Sequence, residues 1–137
     1  MALIRGVHFS LSQPVSEFTF YEWGKIGLSK SSIISLAESL DLPMLQMAEL
    51  HNLYYKTISR KKGNELMDSW VSAHAIEIAA VAAKGFSVFE SDTKFNRWLR
   101  KPNTALHFQT PLSLLKSPTG IRLVGQVLGR IEEGIYS

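Results

Sequence analysis

Residues Asp92 to Ser137 read DTKFNRWLRKPNTALHFQTPLSLLKSPTGIRLVGQVLGRIEEGIYS, and this stretch decides the fold. Phe95, Trp98 and Leu99 lie at helical spacing in a segment, Asp92 to Lys101, that Ser91-Asp92 can cap and Pro102 stops. Pro111 opens a short turn. A last amphipathic helix then places Ile121, Val124, Leu128 and Ile131 on one face. Gly125 and Gly129 sit four apart beside that face, where another backbone could come close. Phe95 and Trp98 are read as core residues.

Working back from this block, Met67 to Phe89 is the longest helical pattern in the chain. Trp70, Ala73, Ile76, Ala80 and Ala83 or Lys84 track one face, with Val71, His74, Ile78 and Val81 beside it. A wide, small-residued face predicts a central helix packed on several sides, interrupted near its end by Gly85. Further back, Leu28 to Leu40 predicts a helix with the stripe Ile33, Leu36, Ala37 and Leu40, capped by Ser29 or Ser31. After the break Asp41-Leu42-Pro43, a second helix opens on Pro43 and turns Leu45 and Ala48, with Met44 and Met47, inward. His51-Asn52 loosens the chain. Leu53 to Lys62 is then a short helix, aromatic at its start and basic at its end, closed by Gly63. Phe18 to Ile26 carries Phe18, Tyr21 and Trp23 on a helix that Gly27 ends. Met1 to Pro14 has Val7, Phe9 and Leu11 alternating, as a short strand or a loose arm.

The expected class is therefore all-α. The N-terminal part, residues 1–63, has the layout of a helix-turn-helix: two short helices around a tight break, the second basic. Residues 64–137 form a helical C-terminal part that shares its core.

Composition excludes several alternatives. At 137 residues and 45% hydrophobic, the chain can bury a real core. It has no cysteine, so disulfides and thiolate metal sites are ruled out. No basic segment precedes a long apolar run at the start. The Ala73–Ala83 stretch holds His74 and Glu77 and falls short of the about 20 apolar residues a bilayer span needs, so no membrane association is expected. A cytoplasmic protein fits. The net charge of +3 is a mild bias, but its distribution is clustered. Lys56, Arg60, Lys61 and Lys62 form one group, and Lys94, Arg97, Arg100 and Lys101 another. The second reads as a solvated helix face. The first follows a helix and a turn, as a nucleic-acid contact would.

Catalytic patterns are missing. His8, His51, His74 and His107 are scattered without metal-ligand spacing, and each reads as a surface or core histidine. Gly24-Lys25-Ile26-Gly27 lacks the phosphate-loop spacing. Glu132 and Glu133, being adjacent, point about 100° apart on a helix and make no catalytic pair. Neither an enzymatic activity nor a metal or cofactor is expected. The end of the sequence is less ordinary: after Ile131 it runs Glu-Glu-Gly-Ile-Tyr-Ser, so Gly134 frees Ile135 and Tyr136, an apolar pair with a hydroxyl handle.

The block from Trp98 onward resembles the toxin-binding domain of the Xre/MbcA/ParS family of bacterial antitoxins. The resemblance rests on Trp98-Leu99, Pro102-Asn103, Ala105-Leu106, Pro111-Leu112, Leu115, Gly120, Val124 and Leu128. It closes with Gly129-Arg130-Ile131-Glu132-Glu133-Gly134-Ile135-Tyr136-Ser137. The order and spacing of these residues are shared across the block. The family often has glycine where this chain has Phe108. In the N-terminal half, Lys56-Thr57-Ile58-Ser59-Arg60-Lys61-Lys62 is loosely similar to the family's basic Thr-x-x-Arg-Arg helix.

The resemblance implies a type II antitoxin whose C-terminus enters and occludes the active site of an NAD-using toxin of the RES-domain or ParT-like kind. It also implies a homodimer that represses its own operon by binding operator DNA. Toxin contacts are expected from Arg130, Glu132, Glu133, Gly134, Ile135, Tyr136 and Ser137. Tyr55, Lys56, Thr57, Ser59, Arg60, Lys61 and Lys62 are the expected DNA contacts. The competing reading is a stand-alone helix-turn-helix regulator with no toxin partner.

Overall fold

A computed structural model describes residues 17–134, together with the backbone of a small hairpin, β1 (Leu3–Ile4) and β2 (Val7–His8). The two strands pair antiparallel, Leu3 opposite His8 and Ile4 opposite Val7. Of the alternation expected near the start, Val7 lies in β2, whereas Phe9 and Leu11 fall outside the described residues. Otherwise the described residues are all-α: α1 (Glu17–Ile26), α2 (Lys30–Ser39), α3 (Met44–Leu50), α4 (Tyr55–Ser59), α5 (Ser69–Phe89), α6 (Asp92–Leu99), α7 (Pro111–Leu114) and α8 (Pro118–Glu132).

Five of the helices begin at a side-chain cap. Ser29, Asp68, Ser91, Thr110 and Ser117 each accept a hydrogen bond from a backbone N–H of the first turn that follows. Those amides would otherwise be unpaired at a helix start. Pro111 and Pro118 occupy first-turn positions, where proline's missing N–H costs nothing.

α5 is the axis of the molecule. It packs against α1, α8, α6 and α2, and its buried side is Val71, Ser72, Ala75, Ile76, Ile78, Ala79, Val81, Ala82, Gly85 and Phe86. At 21 residues it is long and apolar enough to cross a membrane by length and composition, longer than the Ala73–Ala83 stretch suggested, but half of its apolar window is buried by its neighbours. The core helix of a folded domain meets the same test. The phase expected from sequence is wrong by part of a turn. Trp70 is 82% exposed and Ala73 is exposed, while Ser72, Ala75 and Ala79 take the interior positions. Every position on α5 except His74, Glu77 and Lys84 is apolar or small, so periodicity alone could not choose the inward face.

The stripe Ile33, Leu36, Ala37 and Leu40 of α2 is fully buried as expected. In α3, Met47 and Ala48 are buried and Met44 partly so. Leu45, expected inward, is 56% exposed, because the helix rotates Met47, Ala48 and Leu50 toward α2 and α4. In α1, Phe20 and Trp23 pack on the core while Phe18 and Tyr21 face solvent. The buried apolar side chains form one cluster from Leu28 to Leu128, shared by the two halves. The loop at 60–67 between them is laced to α2. Gly63 O accepts from both Ser31 N and Ser31 Oγ, Glu65 O accepts from Lys30 N, and Met67 N donates to Leu28 O.

Candidate functional site: the C-terminal block and the basic segment

The C-terminal block is built on an aromatic stack. Gly85 does not interrupt α5, as the sequence suggested. It leaves room for the ring of Phe95, which a Cβ at Gly85 would overlap. Phe95 is completely buried, edge-on to Phe86 with ring centres 5.2 Å apart, and Trp98 stacks beyond it at 6.0 Å. Trp98 is half-buried and also meets Phe89 at 5.6 Å. These pairs fix α6 across the end of α5.

From α6 the chain passes through a single 3-10 turn, Thr104–Leu106, into α7 and α8. Gly120 lies directly against the Leu114 carbonyl oxygen, a position a Cβ would occupy, so α7 and α8 meet with no side chain between them. On α8, Ile121, Val124, Val127 and Leu128 are buried and Ile131 is partly buried, as the spacing predicts. Gly125 faces Val81 of α5, and Gly129 lies near Lys84 Nζ.

α8 ends in the order that its sequence dictates. Glu133 N donates to Gly129 O, Gly134 N donates to Ile131 O, and Gly134 takes a positive φ of 81°. That is a glycine stop of the left-handed type. Arg130, Glu132, Glu133 and Gly134 are exposed. The helix therefore delivers its last charged residues to solvent at its tip. The anchors expected from the sequence, Ile135 and Tyr136, and Ser137 lie outside the described residues.

Residues 84–134 match the family described as the antitoxin Xre/MbcA/ParS C-terminal toxin-binding domain. Over this block the chain is similar to the Xre/MbcA/ParS antitoxins. The match covers less than half of the chain, and it supports an antitoxin role with a toxin as partner. No curated protein matches the chain. The matched block holds Gly120, Val124 and Leu128, the residues that close the α5–α7–α8 junction. It also contains Phe108, whose backbone conformation is one that glycine adopts more readily. Phe108 sits at φ 65° and follows His107 at φ 55°, so two non-glycine residues in succession adopt the left-handed conformation. An L-residue there costs roughly 1–2 kcal/mol, and glycine avoids that cost.

The basic segment of the N-terminal part is shorter as a helix than its sequence suggests. α4 spans Tyr55–Ser59 only, anchored by the buried Ile58, and Arg60, Lys61 and Lys62 follow on the turn. Tyr55, Lys56, Thr57, Ser59, Arg60 and Lys62 are exposed and Lys61 is half-buried. Lys30 of α2 holds this turn from behind, its Nζ donating to Ser59 O at 3.2 Å and to Lys61 O at 2.8 Å. Ser59 Oγ donates to Lys56 O, and Lys62 N donates to Glu65 Oε1. The cationic heads are thus presented while the backbone carrying them is fixed.

Two constellations escaped the sequence. Arg100, read as part of a solvated face, spends its guanidinium on the end of α2, with Nη2 donating to Leu40 O and Asp41 O. Asn96, one turn earlier, donates to Ser39 O. The i, i+4 spacing of Asn96 and Arg100 on the side of α6 away from Phe95 was the available signal. The other is a histidine pair. His51 Nδ1 and His74 Nδ1 are 2.8 Å apart, and His74 Nε2 is 2.7 Å from Leu115 O. A carbonyl only accepts, so His74 Nε2 donates to Leu115 O; with both rings neutral, His74 Nδ1 then accepts from His51 Nδ1. His51 Nε2 is then a bare, buried acceptor without a partner. Burial, reinforced by His74, pushes the His51 pKa down to about 3. Among the described residues no three His, Cys, Asp or Glu side chains come together in a way that could hold a metal ion.

Proposed function

We propose that this chain is the antitoxin of a type II toxin–antitoxin pair, with Arg130 to Ser137 as the plug that occludes the active site of a RES-domain or ParT-like, NAD-using toxin. The observation that carries the reading is the family match over residues 84–134, which ends where α8 brings Arg130, Glu132 and Glu133 into solvent. An NAD site receives phosphates through cationic groups, and carboxylates form strong charge-assisted hydrogen bonds with such groups. Ile135 and Tyr136 supply the aromatic and apolar anchors, and Gly134 sets the turn that leads into them. The same chain binds operator DNA through Tyr55, Lys56, Thr57, Ser59, Arg60, Lys61 and Lys62. It acts as a cytoplasmic homodimer, since two-fold pairing matches two half-sites. The exposed strip of α5 around Trp70 and Ala73 is the pairing surface. An apolar ring of this size left in water by the single chain favours burial against a second copy.

The test is co-expression of the chain, with and without residues Gly134 to Ser137, beside a RES-domain or ParT-like toxin encoded next to it. Growth and cellular NAD are scored. The truncated chain is expected to fold and bind DNA yet lose protection, since a central aromatic anchor is worth roughly 2 kcal/mol or more, about thirtyfold in affinity. Protection equal to that of the full chain would place neutralisation on the broader helical surface instead.

A further inference from the structure

Between α6 and α7 the chain folds into a tight capsule. Asn103 N donates to Gln109 O at 3.0 Å, Phe108 N to Asn103 O at 2.8 Å, and Gln109 N to Leu106 O at 3.1 Å. Asn103 Oδ1 accepts from Ala105 N at 2.8 Å, and Leu106 is buried beneath. Both ends and the floor of the loop are therefore fixed. The passage from Leu106 to Gln109 runs through left-handed backbone at His107 and Phe108, and both side chains project outward. Phe108 is 72% exposed.

These hydrogen bonds hold the backbone, but none of them uses the Phe108 ring, which does not pack on the core. The conformation favours glycine, and a phenyl ring this exposed contributes little to the core. Strain of this kind persists where the surrounding structure over-determines it, and it clusters at binding sites. We infer that Phe108, with His107 beside it, is a docking knob that inserts into an apolar pocket on the toxin. It is a second anchor, away from the tail, that helps to select which toxin this antitoxin accepts.

This inference rests on the antitoxin reading above. The toxin is the occupant because the loop lies inside the matched toxin-binding block. DNA does not suit the loop, since Asn103 to Thr110 contains no lysine or arginine to meet phosphate. The capsule also makes the knob effective. A ring held on fixed backbone loses little conformational freedom on binding, which is how rigid aromatics become anchors.

The experiment measures thermal stability and affinity together, using the full chain and the product of the adjacent toxin frame. Phe108→Gly is expected to raise the melting temperature while weakening toxin binding about tenfold or more. Phe108→Ala, which keeps a Cβ in the left-handed position, is expected to weaken binding equally without the rise in melting temperature. Affinities of both variants within twofold of the unsubstituted chain would overturn the knob and leave the antitoxin reading standing. Failure of the unsubstituted chain to bind would overturn both.

Discussion

Arg100 and Leu40, sixty residues apart in sequence, are joined by a 2.8 Å hydrogen bond from the guanidinium Nη2 to the carbonyl that ends α2. The same nitrogen reaches Asp41 O at 2.9 Å, and Nη1 donates to Asn96 O within α6. The last carbonyls of a helix have no intrahelical partners and lie at its negative end, so a fixed cation there serves both needs. The matched C-terminal block and the N-terminal helices are thereby tied by polar contacts as well as by a common core.

Replacing Arg100 with Ala removes all three donated bonds. The residue is exposed, so water replaces part of what is lost, and the expected destabilisation is about 1–2 kcal/mol. Arg100→Lys should recover only a fraction, because a single ammonium cannot reproduce the planar fork that spans Leu40, Asp41 and Asn96. Denaturant midpoints of the three proteins check this. Equal midpoints for the alanine variant and the unsubstituted chain would show that the clamp does not stabilise the fold.

The buried histidine makes the fold sensitive to acid. Folded His51 titrates at about 3, whereas an unfolded histidine titrates near 6.5. Above that value both states are neutral and the group contributes nothing to the pH dependence. As pH falls through 6.5 the unfolded chain takes up a proton that the folded chain refuses, so stability declines, levelling off only near pH 3. Going from pH 7 to pH 5 should cost about 2 kcal/mol, a drop of several degrees in melting temperature. His51→Leu should be less stable at neutral pH, since it leaves His74 Nδ1 without its donor, but should show a flatter profile between pH 5 and 7. A profile equally steep in that variant would assign the acid sensitivity to other groups.

What the sequence revealed and what it concealed divide along physical lines. The caps at Ser29 and Ser91, the proline at the start of α7 and the buried stripe of α2 depend on neighbours within one turn, and they were legible. So was the inward face of α8, because its polar and apolar positions separate cleanly. The inward face of α5 was not, since a helix bordered by four others is apolar nearly all round. Gly85 read as a break because its purpose is supplied by Phe95 from the next helix. The pairing of His51 with His74, and the grip of Arg100 on α2, are contacts between side chains far apart in sequence, and no local period encodes them. In the candidate site, the resemblance marked the block correctly from Trp98 onward. The strain at Phe108 became visible only when its backbone angle was known.

The basic segment offers the sharpest test of DNA binding. Its backbone is held by Lys30 through the carbonyls of Ser59 and Lys61, and α4 is seated by Ile58, so none of these supports depends on the side chains of Arg60 or Lys61. Replacing both with Ala should therefore leave the fold intact while removing two cationic heads from the surface. If each meets a phosphate, operator affinity falls, and the slope of log affinity against log salt decreases by roughly 1 for each lost contact. Lys30→Met provides the complementary case. It keeps Arg60 and Lys61 but frees the turn that carries them, so it should weaken binding with a smaller change in salt slope. Gel shifts on the upstream region of the chain's own operon, run from low to moderate salt, separate these outcomes. A folded double variant with unchanged affinity and slope would remove Arg60 and Lys61 from the DNA surface.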